Sequence, residues 1–428
     1  MVLRRVHVPA RWLAACALVC LASSPVVAAD GDLILAEGFD HADGSGGSTP
    51  VNWTSGGAGN CSTSATAAET GRRWLDLTSG GCVAENEIMS APSVTQYTVC
   101  LTVDLDDQSD LAGTFALFGH AGEAGSNDWK IVFDGGNDQF EFMAISDSEE
   151  VGSMSWADGA RRRMCFEITN PSGTGSDSVR LFDEDDPYTP DAEATLTTGY
   201  QNDGGLDYVS FQGLSTHDVM VDDLVVVEGP YFPRLMRTRT YTLAPNNSVD
   251  ITGVDSVSAN GGDCDDLSGN ATMYKCVDGS ESSHVEPGDG SGSGSDRSFI
   301  RANADTEEIA FDYESTTTGE IPTGATIYGV SVCGTVREGG SASQQDFGLV
   351  DTSGTWTSAF DSPGTATAPV PFWCWNRLTD SGGSDWTLSE IDTIETEIVK
   401  DNGSGDVRVE TMFLTVVTAG ERRVFVGN

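Results

Sequence analysis

Apolar and polar residues alternate along much of the chain with a period of two, the pattern of β-strands that are buried on one face. Between Tyr97 and Leu105 every second residue is apolar, whereas Cys100 lies on the opposite, polar face. Two later sets alternate in the same way: Tyr328, Val330, Val332 and Val336, then Val407, Val409, Phe413 and Val417. The pattern predicts strands that each give one face to a core.

A β-hairpin is predicted where Trp129–Phe133 and Phe140–Ile145 flank the glycine-rich run 134–138. Stretches with the 3.6-residue period of helices are few, and the 50 glycines favour turns. We therefore expect an all-β protein with two β-sandwich, jelly-roll-like domains in tandem.

The first 29 residues have the features of an export signal. Arg4, Arg5 and Arg11 give a positive start, 12–21 is apolar, and small residues at 27–29 offer a cleavage site. The apolar run is too short to span a bilayer, and no other segment is apolar enough for a membrane helix. We expect a secreted, extracellular or periplasmic protein without membrane insertion.

The remaining chain divides into three predicted parts: a first β-sandwich domain over 30–230, a connector over 231–248 and a second β-sandwich domain over 249–428. Prolines limit regular structure in the connector, whose arginines Arg234, Arg237 and Arg239 either pair with carboxylates where the domains meet or stay solvated. The Gly/Ser/Asp-rich segment near 279–296 is predicted to be a flexible loop.

The chain is strongly acidic. Without the three leader arginines, 19 basic residues face 66 acidic ones, a net charge of −47. Such a surface repels nucleic acid and anionic membranes. It serves either solubility or the binding of divalent cations, for which carboxylates are suitable ligands.

Eight cysteines follow the leader, and an even number after an export signal indicates disulfides. Cys100 and Cys165 both lie on the outward faces of predicted strands, which suggests a bridge between neighbouring strands. A local pairing of the others joins Cys61 with Cys82, Cys264 with Cys276, and Cys333 with Cys374, although four cysteines per domain allow three connectivities each.

Residues 35–228 resemble a concanavalin-like jelly roll of the laminin-G or carbohydrate-binding-module type. The resemblance is carried by 37–40 (E-G-F-D), Trp53 and the closing strand 221–226. It implies recognition of a polysaccharide or cell-surface glycan and a structural calcium between the two ends of the domain. The implied ligands are Glu37, Asp40 and Asp222 or Asp223; the alternative is that these carboxylates lie in solvent.

The second half is similar to a β-sandwich that follows such jelly rolls in phage virion and tail-associated proteins. The matching pieces are 232–235, 242–246, 321–330 and the late Trp386. Virion proteins of that kind lack an export signal, so the leader favours a cell-secreted relative. A structural protein that self-associates through a sheet edge is a further possibility.

Tryptophans beside polar residues are candidates for sugar binding, since a pyranose packs its CH groups on an indole face. Candidate ligand-binding residues are Trp129 with Asn127 and Asp128, Trp156, and Trp356. Each could instead close the core, and the tryptophans on both sides of Cys374 are expected to pack inside.

One string, Glu390-Ile391-Asp392-Thr393-Ile394-Glu395, fits the E-x-D-x-x-E pattern of laminarinase-type glycosidases. Thr387 and Glu390 also form a capping box, which favours a short helix instead. We therefore identify no catalytic residues and expect a secreted, non-catalytic surface or matrix protein. The alternatives are a polysaccharide hydrolase or lyase on a jelly-roll scaffold and a structural or assembly protein, and the sequence leaves the question of catalysis open.

Overall fold

A computed structural model describes a little over half of the chain. The described residues are 32–39, 54–57, 62–64, 74–77, 82–88, 96–105, 112–119, 129–134, 139–144, 149–155, 161–169, 178–195, 206, 208–213, 219–251, 255–257, 277, 299–302, 304–338, 344–361, 371–403 and 405–419. All of them belong to one compact unit, Asp32–Asn428.

The first half contains strands β1–β15: β1 Leu33–Glu37, β2 Thr54–Gly57, β3 Ser62–Ser64, β4 Trp74–Asp76, β5 Cys82–Ile88, β6 Gln96–Leu105, β7 Ala112–Gly119, β8 Trp129–Asp134, β9 Gln139–Ala144, β10 Glu149–Ser155, β11 Arg162–Thr169, β12 Ser178–Asp183, β13 Ala192–Thr195, β14 Tyr208–Gln212 and β15 Val219–Glu228. The predicted hairpin is present, since β8 and β9 pair antiparallel from Trp129↔Ala144 to Asp134↔Gln139.

The second half contains a 3₁₀ turn, eleven described strands and one short helix: η1 Leu235–Arg237, β16 Arg239–Leu243, β17 Pro245–Ile251, β18 Asp255–Val257, β19 Phe299–Ala302, β20 Glu308–Tyr313, β21 Thr326–Glu338, β22 Gln344–Asp351, β23 Gly354–Asp361, β24 Pro371–Arg377, α1 Leu388–Ile391, β25 Glu395–Asn402 and β26 Val407–Ala419. The protein is all-β, as predicted. No helix among these residues has the length and apolar character to cross a membrane.

In the first half, two sheets pack face to face. One has the order β13-β12-β11-β6-β15-β4-β3, with β1 also paired to β15; the other runs β10-β9-β8-β7-β14-β5. The apolar face predicted for β6 is buried between them, where Val99 and Leu101 meet Ala116 of β7 and Phe211 of β14 in one cluster.

In the second half, a sheet of order β24-β21-β26-β19-β18 faces a five-stranded sheet of order β17-β20-β25-β22-β23. Their core contains Val330 and Val332 from one side and Phe347 and Ile398 from the other. A short parallel contact, from Pro371↔Glu87 to Phe372↔Ile88, joins β24 to β5, so that sheets of both halves form one continuous sheet.

A third apolar cluster lies between the halves. It includes Cys100 and Cys165, which are joined by a disulfide across β6 and β11, together with Leu235, Met236 and Tyr328. The outward, polar face that the sequence assigns to β6 and β11 is therefore not in solvent, because the segment after β15 covers it. The division into two domains with the boundaries given above stays a prediction.

Two further expectations need correction. Tyr328 does not share a face with Val330 and Val332, because the register shifts between Ile327 and Gly329 and turns Tyr328 towards the third cluster. The predicted connector 231–248 is not irregular, since it contains β16, which pairs with β26 along its whole length.

The structure also contains the Cys333–Cys374 disulfide, at directly opposed positions of β21 and β24. Cys82 lies in β5, but its side chain is not described, and Cys61, Cys264 and Cys276 lie outside the described residues. The pairings suggested for these four cysteines, like the loop near 279–296, stay predictions.

Candidate functional site

A cleft of about 700 Å³ opens beside two strands of the second half. One wall is β23, the edge strand of the five-stranded sheet, and the other is β24, with Asp32 and Leu33 at the start of β1 completing it. We call it the aromatic cleft and define it by six of its lining residues: Trp356, Phe360, Trp373, Trp375, Asn376 and Arg377.

The period of a β-strand places the rings of β24. Trp373, Trp375 and Arg377 alternate along the strand and share one face. The strand is held to β21 by pairing from Val330↔Arg377 to Gly334↔Trp373 and by the Cys333–Cys374 disulfide on its opposite face. A rigid strand therefore carries the tryptophans.

The aromatic rings form a connected stack from the core to the cleft. Phe347 of β22 lies parallel to Trp375, with centroids 3.9 Å apart and planes 2° apart, and Trp375 lies 6.2 Å from Trp373 at 15°. Phe360 meets Trp373 at 4.9 Å, and Trp356 meets Phe347 edge to face at 6.1 Å. Trp375 is buried, whereas Trp356 and Trp373 are half-buried and supply the accessible ring surface.

Two residues that line the cleft each have a buried polar atom without an internal partner. The Nε1 of Trp373 and the Oδ1 of Asn376 are buried, and neither has a hydrogen-bond partner among the described residues. The amide nitrogen of Asn376 does donate to the backbone oxygen of Ile34, at 2.7 Å, which fixes the amide's position. By contrast, the indole of Trp386 donates to the backbone oxygen of Arg377 at 3.2 Å.

A carboxylate turn ties the two walls together. Asp351, at the end of β22, accepts hydrogen bonds from Ser353 N at 2.7 Å, Gly354 N at 3.0 Å and Ser381 N at 2.7 Å. Ser353 donates in turn to Asp380 at 2.9 Å, in the loop after β24. Desolvation alone would raise the pKa of Asp351, but the hydrogen bonds from Ser381, Ser353 and Gly354 outweigh it and lower that pKa.

A second cavity, of about 400 Å³, lies where the two halves meet. We call it the junction cavity; its lining residues are Trp74, Thr102, Arg161, Arg163, Glu184, Asp222, Arg239, Tyr241, Glu320 and Pro322. The guanidinium of Arg161 lies 4.5 Å from the ring centroid of Trp74. The cavity is thus polar, with arginines and carboxylates in similar number.

Arg163, one of the residues that line the junction cavity, is 1% exposed. It donates to the backbone oxygens of Leu235 at 3.2 Å and Asp223 at 2.9 Å, and to the hydroxyls of Thr102 at 3.2 Å and Thr238 at 2.6 Å. Burial lowers the pKa of Arg163 to about 10, against the opposing charge of Asp223, so the guanidinium stays charged at neutral pH.

Asp223 is the buried counter-charge. Its carboxylate accepts from Thr240 N at 2.8 Å and from the Thr102 hydroxyl at 3.2 Å, and lies 3.4 Å from Arg239. Of the three connector arginines, Arg239 therefore pairs with a carboxylate, and Arg234 lies 5.6 Å from the Tyr328 ring centroid. Asp223 thus has protein donors on both carboxylate oxygens, and its proposed part in a calcium site stays a prediction.

The implied calcium ligands are placed only in part. Glu37 is buried and accepts from Phe39 N at 2.9 Å, and Asp222 is buried and accepts from Asp223 N at 2.7 Å. Asp40 lies outside the described residues. No group of three His, Cys, Asp or Glu side chains close enough to hold a metal occurs in the described part of the chain, so the calcium set stays a prediction.

The predicted sugar-binding residues fall mostly outside the described part of the chain. Trp129 begins β8, although its side chain is not described, and Trp156, Asn127 and Asp128 are among the undescribed residues. Trp356, named as a third candidate, does line the aromatic cleft.

Sequence reasoning assigned both tryptophans beside Cys374 to the interior. This holds for Trp375 but not for Trp373, which is half-buried and lines the cleft. The signal that could have identified the site is the W-x-W spacing of β24, which sets two rings on one face. The sequence does not single out Asn376, because its amide is positioned by a hydrogen bond to the backbone of Ile34, which is far away in the chain.

The three carboxylates of the E-x-D-x-x-E string line neither the aromatic cleft nor the junction cavity. Glu390 caps α1: its carboxylate accepts from the backbone of Thr387 at 2.7 Å and from the Thr387 hydroxyl at 2.8 Å, as the capping box predicts. Asp392 accepts from Thr316 N at 2.6 Å. Burial and the nearby Asp312 and Glu397 raise the pKa of Glu395, which lies in β25.

No protein-family model matches the chain, and no curated protein matches it. Among solved structures, domain 4 of AbnA, a GH43 extracellular arabinanase from Geobacillus stearothermophilus solved with arabinotriose, is 14% identical with a TM-score of 0.34; the match covers 48% of this chain and 97% of that one. The cellulose-induced protein Cip1 is 13% identical with a TM-score of 0.31, over 42% of this chain and 92% of that one.

The CBM2 module of the evolved Dit of Lactobacillus casei BL23 phage J-1 is 12% identical with a TM-score of 0.29, over 47% of this chain and 99% of that one. At TM-scores below 0.5, these likenesses carry no argument about fold or function.

Proposed function

We propose that this protein is an exported, non-catalytic carbohydrate-binding protein and that the aromatic cleft is its binding site. The observation that carries the proposal is the half-buried pair Trp356 and Trp373, one on each wall of a 700 Å³ cleft. Clefts of this size, lined by aromatic rings with a few placed polar groups, are the usual form of small-ligand sites.

The chemistry of the walls suits a sugar. A pyranose ring presents CH groups that pack on an indole face, while its hydroxyls need partners at the ring edge. The cleft offers both kinds of surface: stacked indoles, and the polar side chains of Ser358, Thr379 and Asn376. The stacking of Trp375 on Phe347 and the disulfide behind β24 hold the strand and the inner ring in place before the ligand arrives, which reduces the entropic cost of binding.

The test is a glycan array on the protein without its leader, with Trp356→Ala and Trp373→Ala variants. We expect one class of glycan to bind and each variant to weaken binding at least about tenfold, through the loss of stacking area. Tyr188→Ala is the matched control: this tyrosine is 74% exposed and does not line the cleft, so the variant should bind like the parent.

Two results would contradict the proposal. If the protein binds no glycan on the array, it is not a carbohydrate-binding protein of this kind. If glycans bind but both tryptophan variants bind unchanged, the site lies elsewhere, and the loops near Trp129 and Trp156 in the jelly-roll half become its place. Including calcium and a chelator in parallel arrays also tests whether Glu37, Asp40 and Asp222 hold a structural ion.

A further inference from the structure

The described walls of the aromatic cleft carry little charge. Among the described residues, two charged ones line it: the exposed Asp32 at one end, and Arg377. The guanidinium of Arg377 lies 5.1 Å from the ring centroid of Trp356 and donates weakly to the backbone oxygen of Asp380, at 3.4 Å. The other lining residues in the described part of the chain are uncharged.

Arg377 works against a cationic ligand. An aromatic cleft in an acidic protein could hold an ammonium group by cation–π attraction, the way aromatic cages do. Here, however, the accessible ring of Trp356 already has a guanidinium close by. A second cation in the same cleft would be repelled at short range by a charge that the protein itself supplies.

The charge of the whole molecule works against an anionic ligand. The chain without its leader has a net charge of −47, and Asp32 adds a negative charge at the cleft itself. A polyanionic glycan would approach against this field at physiological salt, where charges still interact over roughly 8 Å. A single arginine that is engaged with Trp356 and Asp380 does not offset that field.

Hydroxyl groups fit the polar atoms that remain. Trp373 Nε1 is a donor without a partner and Asn376 Oδ1 an acceptor without a partner, among the described residues. A hydroxyl can accept a hydrogen bond from Trp373 Nε1 and donate one to Asn376 Oδ1. Both atoms are covered in the unliganded protein, so the ligand reaches them only when the indole and its cover shift. Buried polar atoms without partners are unfavourable, and pairing them would favour the bound state.

We infer that the cleft selects a neutral, hydroxyl-rich glycan over both acidic and amino glycans, and that Trp373 donates a hydrogen bond to it. This inference rests on the proposed function, because it names the ligand class of the same cleft.

The experiment compares three oligosaccharides of equal length and linkage: a neutral hexose chain, its uronic-acid counterpart and its unacetylated amino counterpart. We expect the neutral chain to bind at least about tenfold more tightly than either charged chain at physiological salt, with an affinity that changes little as salt is raised. Tighter binding of a charged chain would overturn the inference while leaving carbohydrate binding intact. Absence of binding by all three and by the array would overturn the proposed function itself.

A matched pair of variants tests the role of the indole nitrogen. Trp373→Phe and Trp356→Phe each remove indole area, but only Trp373 has a buried N–H that lacks a partner. We expect Trp373→Phe to weaken binding about fivefold more than Trp356→Phe does, which is the worth of one hydrogen bond. Binding should also change the tryptophan fluorescence of the parent more than that of Trp373→Phe. Equal losses in both variants would show that Trp373 contributes its ring alone.

Discussion

The junction cavity and the aromatic cleft differ in how they use their buried polar atoms. In the junction cavity, Arg163 directs donors at four protein acceptors, and Asp223 accepts from Thr102 and Thr240. In the aromatic cleft, Trp373 and Asn376 each keep a buried polar atom that no described residue satisfies. The network around Arg163 and Asp223 is closed by the protein, whereas the polar groups of Trp373 and Asn376 are left incomplete.

The difference separates groups that hold the fold from groups that are available to a ligand. Charge and burial alone would single out the junction cavity, with three arginines in an acidic protein. The donors of Arg163, however, join β11 to Leu235 of η1 and to Thr238 just before β16, so they fasten the two halves together. A buried group with all its partners stabilises the structure, whereas Trp373 Nε1 and Asn376 Oδ1 are available to a bound water or a ligand.

The largest expected effect is on stability, from Arg163→Met. This variant leaves the buried carboxylate of Asp223 with less compensating charge and four acceptors with one donor fewer, which should lower the free energy of unfolding by about 3–5 kcal/mol. Urea titration measures it. Glycan binding by the fraction that stays folded should be unchanged, and weaker binding there would show that the junction cavity takes part in recognition.

Arg162→Met is the control on the same strand. Arg162 is partly exposed and pairs with Asp183 at 2.9 Å and Asp185 at 3.6 Å. Asp183 is itself buried, but Arg162 keeps contact with solvent, so its loss should cost less than that of the fully buried Arg163. A loss in Arg162→Met as large as that in Arg163→Met would contradict the distinction between the closed network and a partly exposed ion pair.

The two disulfides sharpen the comparison, because one belongs to each region. Cys100–Cys165 closes a sequence separation of 65 residues beneath η1, and Cys333–Cys374 closes one of 41 residues behind the cleft. Replacing either pair by alanines should lower the free energy of unfolding by about 2–4 kcal/mol. Glycan binding should weaken only in the Cys333→Ala/Cys374→Ala protein, where β24 loses its link to β21. Equal binding losses in both proteins would mean that the effect is general destabilisation.

The sequence predicts the strands and their faces but not what covers those faces. Val99 and Leu101 of β6 are buried as the period of two requires. The opposite face, with Cys100, carries threonines and a cysteine, which suit either solvent or a partner surface, and only the path of the chain after β15 decides between them. For the same reason the pattern could not show that Arg163 is buried.

The position of the aromatic cleft could not be predicted from the sequence for a related physical reason. Period two places Trp373 and Trp375 on one face, but it does not show that β24 lies at an opening beside β23, which depends on pairings distant in sequence. The register shift between Ile327 and Gly329 shows how an alternating pattern fails. One extra residue in the strand places Tyr328 on the opposite face from the one that the alternation predicts. Local signals such as the Thr387–Glu390 capping box survive because they need no distant partner.

A smaller, pH-dependent effect is expected for the turn that ties the cleft walls. In Asp351→Asn, an amide NH₂ replaces a carboxylate oxygen that accepts from backbone N–H groups, which should cost about 1–2 kcal/mol at pH 7. The folded-state pKa of Asp351 is lowered, so its contribution is full above the unfolded pKa and is lost as pH falls through the folded value.

The difference in unfolding free energy between the parent and Asp351→Asn should therefore be largest above the unfolded pKa and shrink as pH falls through the lowered folded pKa. Urea titrations of both proteins across this range measure it. A difference that stays constant with pH would show that the carboxylate charge is not what holds the turn. Glycan binding at pH 7 should be weaker in the variant, since Asp351 links β23 to the loop after β24.

The smallest effect is expected for Glu390→Gln, and it separates a structural carboxylate from a catalytic one. Like the carboxylate of Asp223, the carboxylate of Glu390 accepts hydrogen bonds from the protein itself. The donors are the backbone N–H and the hydroxyl of Thr387. Glutamine at the same helix position also completes a capping box, so stability should change by only about a few tenths of a kcal/mol. A reducing-sugar assay against the glycans that bind should show no turnover by either the parent or Glu390→Gln. Turnover by the parent that disappears in Glu390→Gln would mean that the carboxylate performs chemistry, and the protein would then be an enzyme on a β-sandwich scaffold.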